Sequence, residues 1–214
     1  MIEGYLESTL LRPDADRNKI GDLCSEAIES GFYGVCINPW YVEYAASLLK
    51  GTGVKLVTVA GFPLGCSESI IKLREAEEAV KKGAEEIDMV INLAALKNKM
   101  TKEVVEEIRS LANAAPLLKV IVETGYLERE ELFAACNCIS EGGADFAKTS
   151  TGFGPRGASR EDVEFLKSQL PGHIGIKAAG GIKTYSFAQE LISAGAHRLG
   201  TSSAGLIWKG YTGS

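Results

Sequence analysis

Short runs rich in β-branched residues alternate with amphipathic stretches along the whole chain. The strand-like runs fall at 5–9, 33–38, 54–60, 86–92, 118–123, 145–150, 174–178 and 197–201. Between them the apolar spacing predicts helices over 68–82, 102–114, 128–141, 160–169 and 187–194. Glu75 and Glu78 with Lys81 and Lys82 supply the charged outer face expected of a surface helix. Gly31, Gly83, Gly142 and Gly195 stand where a helix needs a left-handed cap before the next strand.

Most of the strand runs are apolar without a break, as expected of strands covered on both faces in a parallel sheet. About eight βα units with no linker or compositional shift predict a closed (β/α)₈ TIM barrel, one domain spanning residues 1–214. An open doubly wound sheet is the alternative, and the absence of a Gly-x-Gly-x-x-Gly turn after an early strand weakens it. In both architectures the reactive groups belong at the C-terminal ends of strands.

Composition adds exclusions. The 23 basic and 28 acidic residues leave a net charge of −5, which argues against a nucleic-acid partner. No apolar run reaches membrane-spanning length, so a membrane partner is not expected. The five cysteines, Cys24, Cys36, Cys66, Cys136 and Cys138, have no metal-ligand spacing and read as free thiols of a reducing cytoplasm. With His173 and His197 as the sole histidines, on a turn and at a strand start, a multi-histidine metal site and Ser/His or Cys/His catalysis are not supported.

The strand-end rule selects Glu7, Asn38, Asp88, Asn92, Lys119, Glu123, Lys148 and Lys177. Lys148 and Lys177 each close a short apolar run and are followed by small residues. A buried ammonium is costly unless paired, and two neighbouring ones disfavour each other's charge. A free lysine is neutral about once in two thousand at pH 7, so lowering its pKa to about 7 gains roughly a thousandfold in nucleophilic amine. Asp88, inside an apolar strand, is the obvious carboxylate partner and a candidate for moving protons. A purely structural Lys–Asp pair is the rival reading. A second buried lysine tells against it, since one carboxylate cannot compensate two cations. Glu123 is expected to line the pocket or to pair with Lys119 or another lysine.

A second constellation suits an anion. Gly180 and Gly181 follow Lys177, Gly200 precedes Ser202 and Ser203 at the start of a short helix, and Gly152 follows Lys148. Bare backbone N–H groups, a helix N-terminus and hydroxyls together predict a phosphate cradle. The alternative is that Gly-Gly is a tight turn and Ser202 a helix cap. Cys36 reads as core, and Trp208 and Tyr211 as closing the barrel or meeting another subunit.

At these residues the chain resembles the deoxyribose-phosphate aldolases. The resemblance rests on segments 86–92, 118–124, 143–153, 176–182 and 198–203, in order over nearly the whole chain. It implies a class I aldolase on a (β/α)₈ barrel, with no metal or other cofactor, that reversibly splits 2-deoxy-D-ribose 5-phosphate into D-glyceraldehyde 3-phosphate and acetaldehyde. It further implies that Lys148 forms the Schiff base, Lys177 lowers its pKa and Asp88 relays protons. Phosphate binding would fall on Gly152, Gly180, Gly181, Gly200, Ser202 and Ser203. A homo-oligomer, dimer or tetramer, is also implied. A sibling class I aldolase with another donor or acceptor, and a silent sugar-phosphate binder, are the competing functions. The first strand departs from the family's Asp-His-Thr-Leu-Leu-Lys-Pro at Glu7, Ser8 and Arg12, which is expected to alter the site near the acceptor aldehyde.

Overall fold

The computed structural model describes residues 1–213; Ser214, the last residue of the expected domain, lies outside the described residues. The strands are β1 (Leu6–Leu10), β2 (Gly34–Ile37), β3 (Lys55–Ala60), β4 (Glu86–Val90), β5 (Leu118–Ile121), β6 (Phe146–Lys148), β7 (Gly175–Ala179) and β8 (Arg198–Thr201). They pair in parallel in sequence order, and β8 returns to β1 through Glu7 opposite Gly200, which closes the ring. The closed-barrel expectation therefore holds and the open sheet does not.

The helices are α1 (Arg17–Ser30), α2 (Val42–Leu49), α3 (Ser69–Lys81), α4 (Leu93–Lys97), α5 (Thr101–Ala114), α6 (Arg129–Gly142), α7 (Arg160–Gln169), α8 (Tyr185–Ala194) and α9 (Ala204–Thr212). Their starts carry side-chain caps: Asp16 accepts from the Lys19 N–H at 2.9 Å, Ser159 from Asp162 at 3.2 Å, and Glu128 and Glu131 form a reciprocal box. Gly31 and Gly195 cap α1 and α8 in the left-handed region, as the sequence predicts. Gly142 does not. It is the last residue of α6, and Gly143 takes the cap with φ 78°. A Cβ on Gly142 would lie 2.4 Å from Ile108 Cγ2, so this glycine lets α6 approach α5. At the third position Lys82 is the cap residue, and Gly83 follows it at φ 109°.

Two cores result. The large one lies between sheet and helices, where outward strand residues such as Ile87, Val120 and Ala147 meet Ile108, Leu132 and Ile139. The small one lies elsewhere: Leu11, Cys36, Val57 and Val59 cluster with Phe62 packed against them. Lys72 of α3 is buried rather than on the helix's charged face. Its ammonium donates to Glu107 at 2.8 Å and to the Val90 carbonyl at 2.9 Å, fastening α3 and α5 to the end of β4. Burial lowers the Lys72 pKa, with Glu107 opposing the shift. Among the described residues no helix is long and apolar enough to cross a membrane.

Candidate active site

Side chains alternate across a strand, and residues paired in a parallel sheet share a face. The pairs Asp88–Lys119 and Lys148–Lys177 therefore project together into the barrel, with Glu7 joining them from β1 across Gly200. Asp88 Oδ2 accepts from Lys148 Nζ at 2.8 Å and from Lys177 Nζ at 2.7 Å, while its Oδ1 accepts from Lys119 at 2.9 Å. Lys177 also donates to Glu7. Lys119 lies 2.5 Å from Glu86 and 3.8 Å from the second Glu7 oxygen. Glu86 in turn accepts from the Tyr33 hydroxyl at 2.5 Å. Three ammonium groups thus face three carboxylates in an interior where Glu7, Asp88, Lys119 and Lys177 have no solvent exposure.

Burial of such charges is tolerated only with near-complete pairing. Burial alone pushes the Asp88 carboxyl up, but Lys119, Lys148 and Lys177 outweigh it and hold the group well below the usual carboxylate range. Burial alone would pull Lys177 down. Asp88 and Glu7 reverse that, and its pKa is raised. Lys119 is likewise raised: desolvation is overcome by Asp88, then Glu7. Cys36 shares this interior, and desolvation pushes its thiol up to about 11, so it is protonated and poorly nucleophilic.

A cavity of about 330 Å³ opens above this cluster. Lys148 reaches it, alongside Gly152, Phe153, Gly180, Gly181, Lys183, Gly200 and Ser202. Gly180 has φ 90° and lies against Gly157, whose own Cβ would fall 2.2 Å from the Gly180 carbonyl oxygen. Neither position admits a side chain. Thr201 Oγ1 donates to the Ile182 carbonyl at 2.6 Å and accepts from the Ser203 N–H at 2.9 Å, tying the loops after β7 and β8 together. Ser203 occupies the cap position of α9 without a side-chain capping bond, so the bland reading of Ser202 as a helix cap does not describe this turn.

Several expectations change. Lys177 is the third of five strand residues rather than a strand end, and Glu7 and Lys119 sit near the starts of their strands. They reach the site because their side chains are long. Glu123 pairs with no lysine among the described residues. It accepts from the Thr151 backbone N–H at 3.1 Å and from the Thr151 hydroxyl, pinning the loop after β6. Ser8 points to the opposite face from Glu7, so of the three departing positions only Glu7 and Arg12 bear on the site. Gly200 serves Lys177 as well as the cavity: a Cβ there would sit 2.9 Å from Lys177 Cε. Asn92 caps α4 and Asn38 binds the Arg12 carbonyl, so neither enters the charged cluster. Cys24, Cys36, Cys136 and Cys138 are buried and Cys66 exposed, all unpaired.

The sequence reading missed Glu86 and Lys183. Glu86 precedes Asp88 by two and so shares its face, a signal that period-two alternation carries. Lys183 directly follows Gly180-Gly181-Ile182 and lines the cavity, which the emphasis on glycine and hydroxyl groups obscured.

The family model described as DeoC/LacD family aldolase matches residues 7–209. A deoxyribose-phosphate aldolase of Dictyoglomus turgidum is 51% identical over 96% of this chain and 94% of its own length. Another from Thermococcus kodakarensis is 46% identical over 98% and 96%. Among solved structures, an aldolase called QR15 superposes with TM-score 0.94 at 42% identity, over 99% of this chain and 96% of the other. A deoxyribose phosphate aldolase from Aeropyrum pernix, described as a unique tetramer, gives 0.92 at 32% identity over 99% and 91%. Fold and likeness together define a barrel enzyme of the lyase class. More narrowly, the chain belongs to the DeoC/LacD aldolase family.

Proposed function

We propose that the chain is one barrel domain that reversibly cleaves 2-deoxy-D-ribose 5-phosphate into D-glyceraldehyde 3-phosphate and acetaldehyde, through a Schiff base on Lys148. The supporting observation is the unequal support of three buried amines. Lys177 is held by Asp88 and Glu7, and Lys119 by Asp88, Glu86 and Glu7. Among the described residues Lys148 has Asp88 alone, on an oxygen it shares with Lys177, and of the three amines it alone lines the cavity. It is the amine a substrate meets and the cation with least compensation. Lys177, kept protonated, is the neighbouring charge that favours the neutral form of Lys148.

The chemistry follows. The Lys148 amine adds to the C1 aldehyde and water leaves, giving an iminium. Asp88 takes the 3-hydroxyl proton, directly or through water, the C2–C3 bond breaks, and its electrons pass into the iminium. Glyceraldehyde 3-phosphate departs. Protonation of the enamine at C2 and hydrolysis release acetaldehyde and the free amine.

The phosphate is assigned to the mouth formed by Gly152, Gly180, Gly181, Gly200, Ser202 and Ser203, with Lys183 as its cation. The free hydroxyl of Ser202 and the N-terminus of α9 supply donors. Ser202→Asp is expected to raise KM for the phosphorylated sugar by at least about tenfold through like-charge repulsion, leaving cleavage of unphosphorylated 2-deoxyribose within about twofold. Equal losses on both sugars would remove Ser202 from the phosphate site. Homo-oligomerisation and a cytoplasmic setting belong to the same proposal, supported by the tetrameric relative and by five unpaired thiols.

Borohydride reduction in the presence of acetaldehyde tests the assignment. An ethylated Lys148 in the peptide map is the expected result. An unmodified Lys148, in protein that still binds deoxyribose 5-phosphate, would leave a sugar-phosphate binder instead.

A further inference from the structure

Lys148 and Lys177 are chemically identical, stand side by side on β6 and β7, and donate to the same Asp88 oxygen at 2.8 and 2.7 Å. Their nitrogens lie within the sum of those distances, so a small aldehyde that reaches one is close to the other. Asp88 alone gives no reason for one lysine to react and its neighbour to remain a cation. Lys148 lines the cavity and Lys177 does not, and the electrostatic asymmetry between them comes from β1. Glu7 is fully buried, accepts from Lys177 with Oε2, and makes no hydrogen bond or ion pair with Lys148. Among the described residues its Oε1 has no hydrogen-bond partner, and it faces Lys119 at 3.8 Å.

We infer that Glu7 is the positioning residue that sets the division of labour between the two lysines. It anchors Lys177 as a permanent cation, leaving Lys148 as the amine free to react. This rests on the Schiff-base reading above. The other charged or titratable groups facing Glu7 are few. They are Asp88 and Glu86 from β4, Lys119 from β5, Lys148 from β6, Lys177 from β7 and Cys36 from β2. From β8 the facing residue is Gly200, and β3 contributes Val57 and Val59. Removing the Glu7 charge leaves Lys177 with Asp88 as its sole carboxylate, the condition of Lys148.

Acetaldehyde trapping with cyanoborohydride over a pH series, read by peptide mass spectrometry, tests this. Wild-type protein is expected to carry the ethyl group on Lys148 alone. In Glu7→Gln, adducts are expected on both Lys148 and Lys177, with the pH midpoint for labelling Lys148 lowered by roughly one unit. Glu7→Asp, which keeps the carboxylate, is expected to restore the single adduct. Exclusive labelling of Lys148 at an unchanged midpoint in folded Glu7→Gln would overturn the inference, as would Lys177 labelling in wild-type protein.

Should Glu7→Gln not fold, the comparison moves to Lys177→Met and the Glu7→Gln/Lys177→Met double variant, which removes both partners of the buried pair. The inference then expects the Lys148 midpoint to rise in the single variant, where Glu7 is uncompensated, and to return towards wild type in the double. No return overturns it. Absence of any Lys148 adduct in wild-type protein is a separate result, and it refutes the Schiff-base assignment itself.

Discussion

Lys148→Met is expected to lower the rate of deoxyribose 5-phosphate cleavage by at least about 10⁴-fold, because without the amine the carbonyl has no covalent electron sink. Methionine keeps the unbranched shape at one atom shorter and removes the charge. Asp88 retains Lys119 and Lys177 as partners, so the fold should persist. The measurement is a coupled assay for glyceraldehyde 3-phosphate on protein whose circular dichroism and melting match wild type. Residual turnover above a hundredth of wild type would mean that another lysine carries the reaction, and Lys177 is the first candidate.

Asp88→Asn should have the second large effect, on stability as well as rate. The carboxylate holds three buried ammonium groups through two oxygens, and an amide cannot balance them. Leaving buried charge uncompensated costs about 3–5 kcal/mol. In a chain of this size that is on the order of 10 °C in Tm. Loss of proton transfer should lower kcat by a further 10²- to 10⁴-fold or so. Urea unfolding would settle the stability part. A loss below about 1 kcal/mol would show that Glu7 and Glu86 suffice as counter-charges.

The pH dependence has a definite sign. Asp88 is lowered in the folded protein, so its stabilisation is present above its ordinary pKa of 3.8 and is lost as pH falls towards the lower native value. Lys119 and Lys177 are raised. Their contribution is complete below the ordinary 10.5 and is lost as pH climbs through the native values. In the Asn variant the lysines have lost their main counter-charge, so its deficit should shrink as alkali neutralises them.

Much of this was legible in the sequence. Uninterrupted apolar runs separated by amphipathic stretches gave eight parallel strands, and the predicted α7 range coincides with the observed Arg160–Gln169. Lys148, Lys177 and Asp88 stood out because charged residues in apolar runs demand partners. Charge balance was not legible. Two lysines against one carboxylate became three against three: Glu86 and Lys119 join locally from β4 and β5, whereas Glu7 joins only through closure of the ring, and residues 170 apart, such as Glu7 and Lys177, have no local signature. Lys148 is therefore set apart by how few carboxylates it touches as well as by its neighbouring lysine. Gly142 misled for a related reason. It looks like backbone punctuation, while the structure uses it to admit Ile108, and Gly200, read for the phosphate, also makes room for Lys177.

The seam between β8 and β1 has a kinetic consequence. It joins the first strand to the last, so loop-closure entropy makes it a late and cooperative event in folding. A chain with seven strands in place would expose two unpaired edges and leave Lys177 without Gly200 beside it or Glu7 properly set across the gap. Secondary structure could then return well before chemistry does. During refolding from urea, the recovery of acetaldehyde trapping would serve as a clock for ring closure, lagging far-ultraviolet dichroism by the time the last strand takes to find the first.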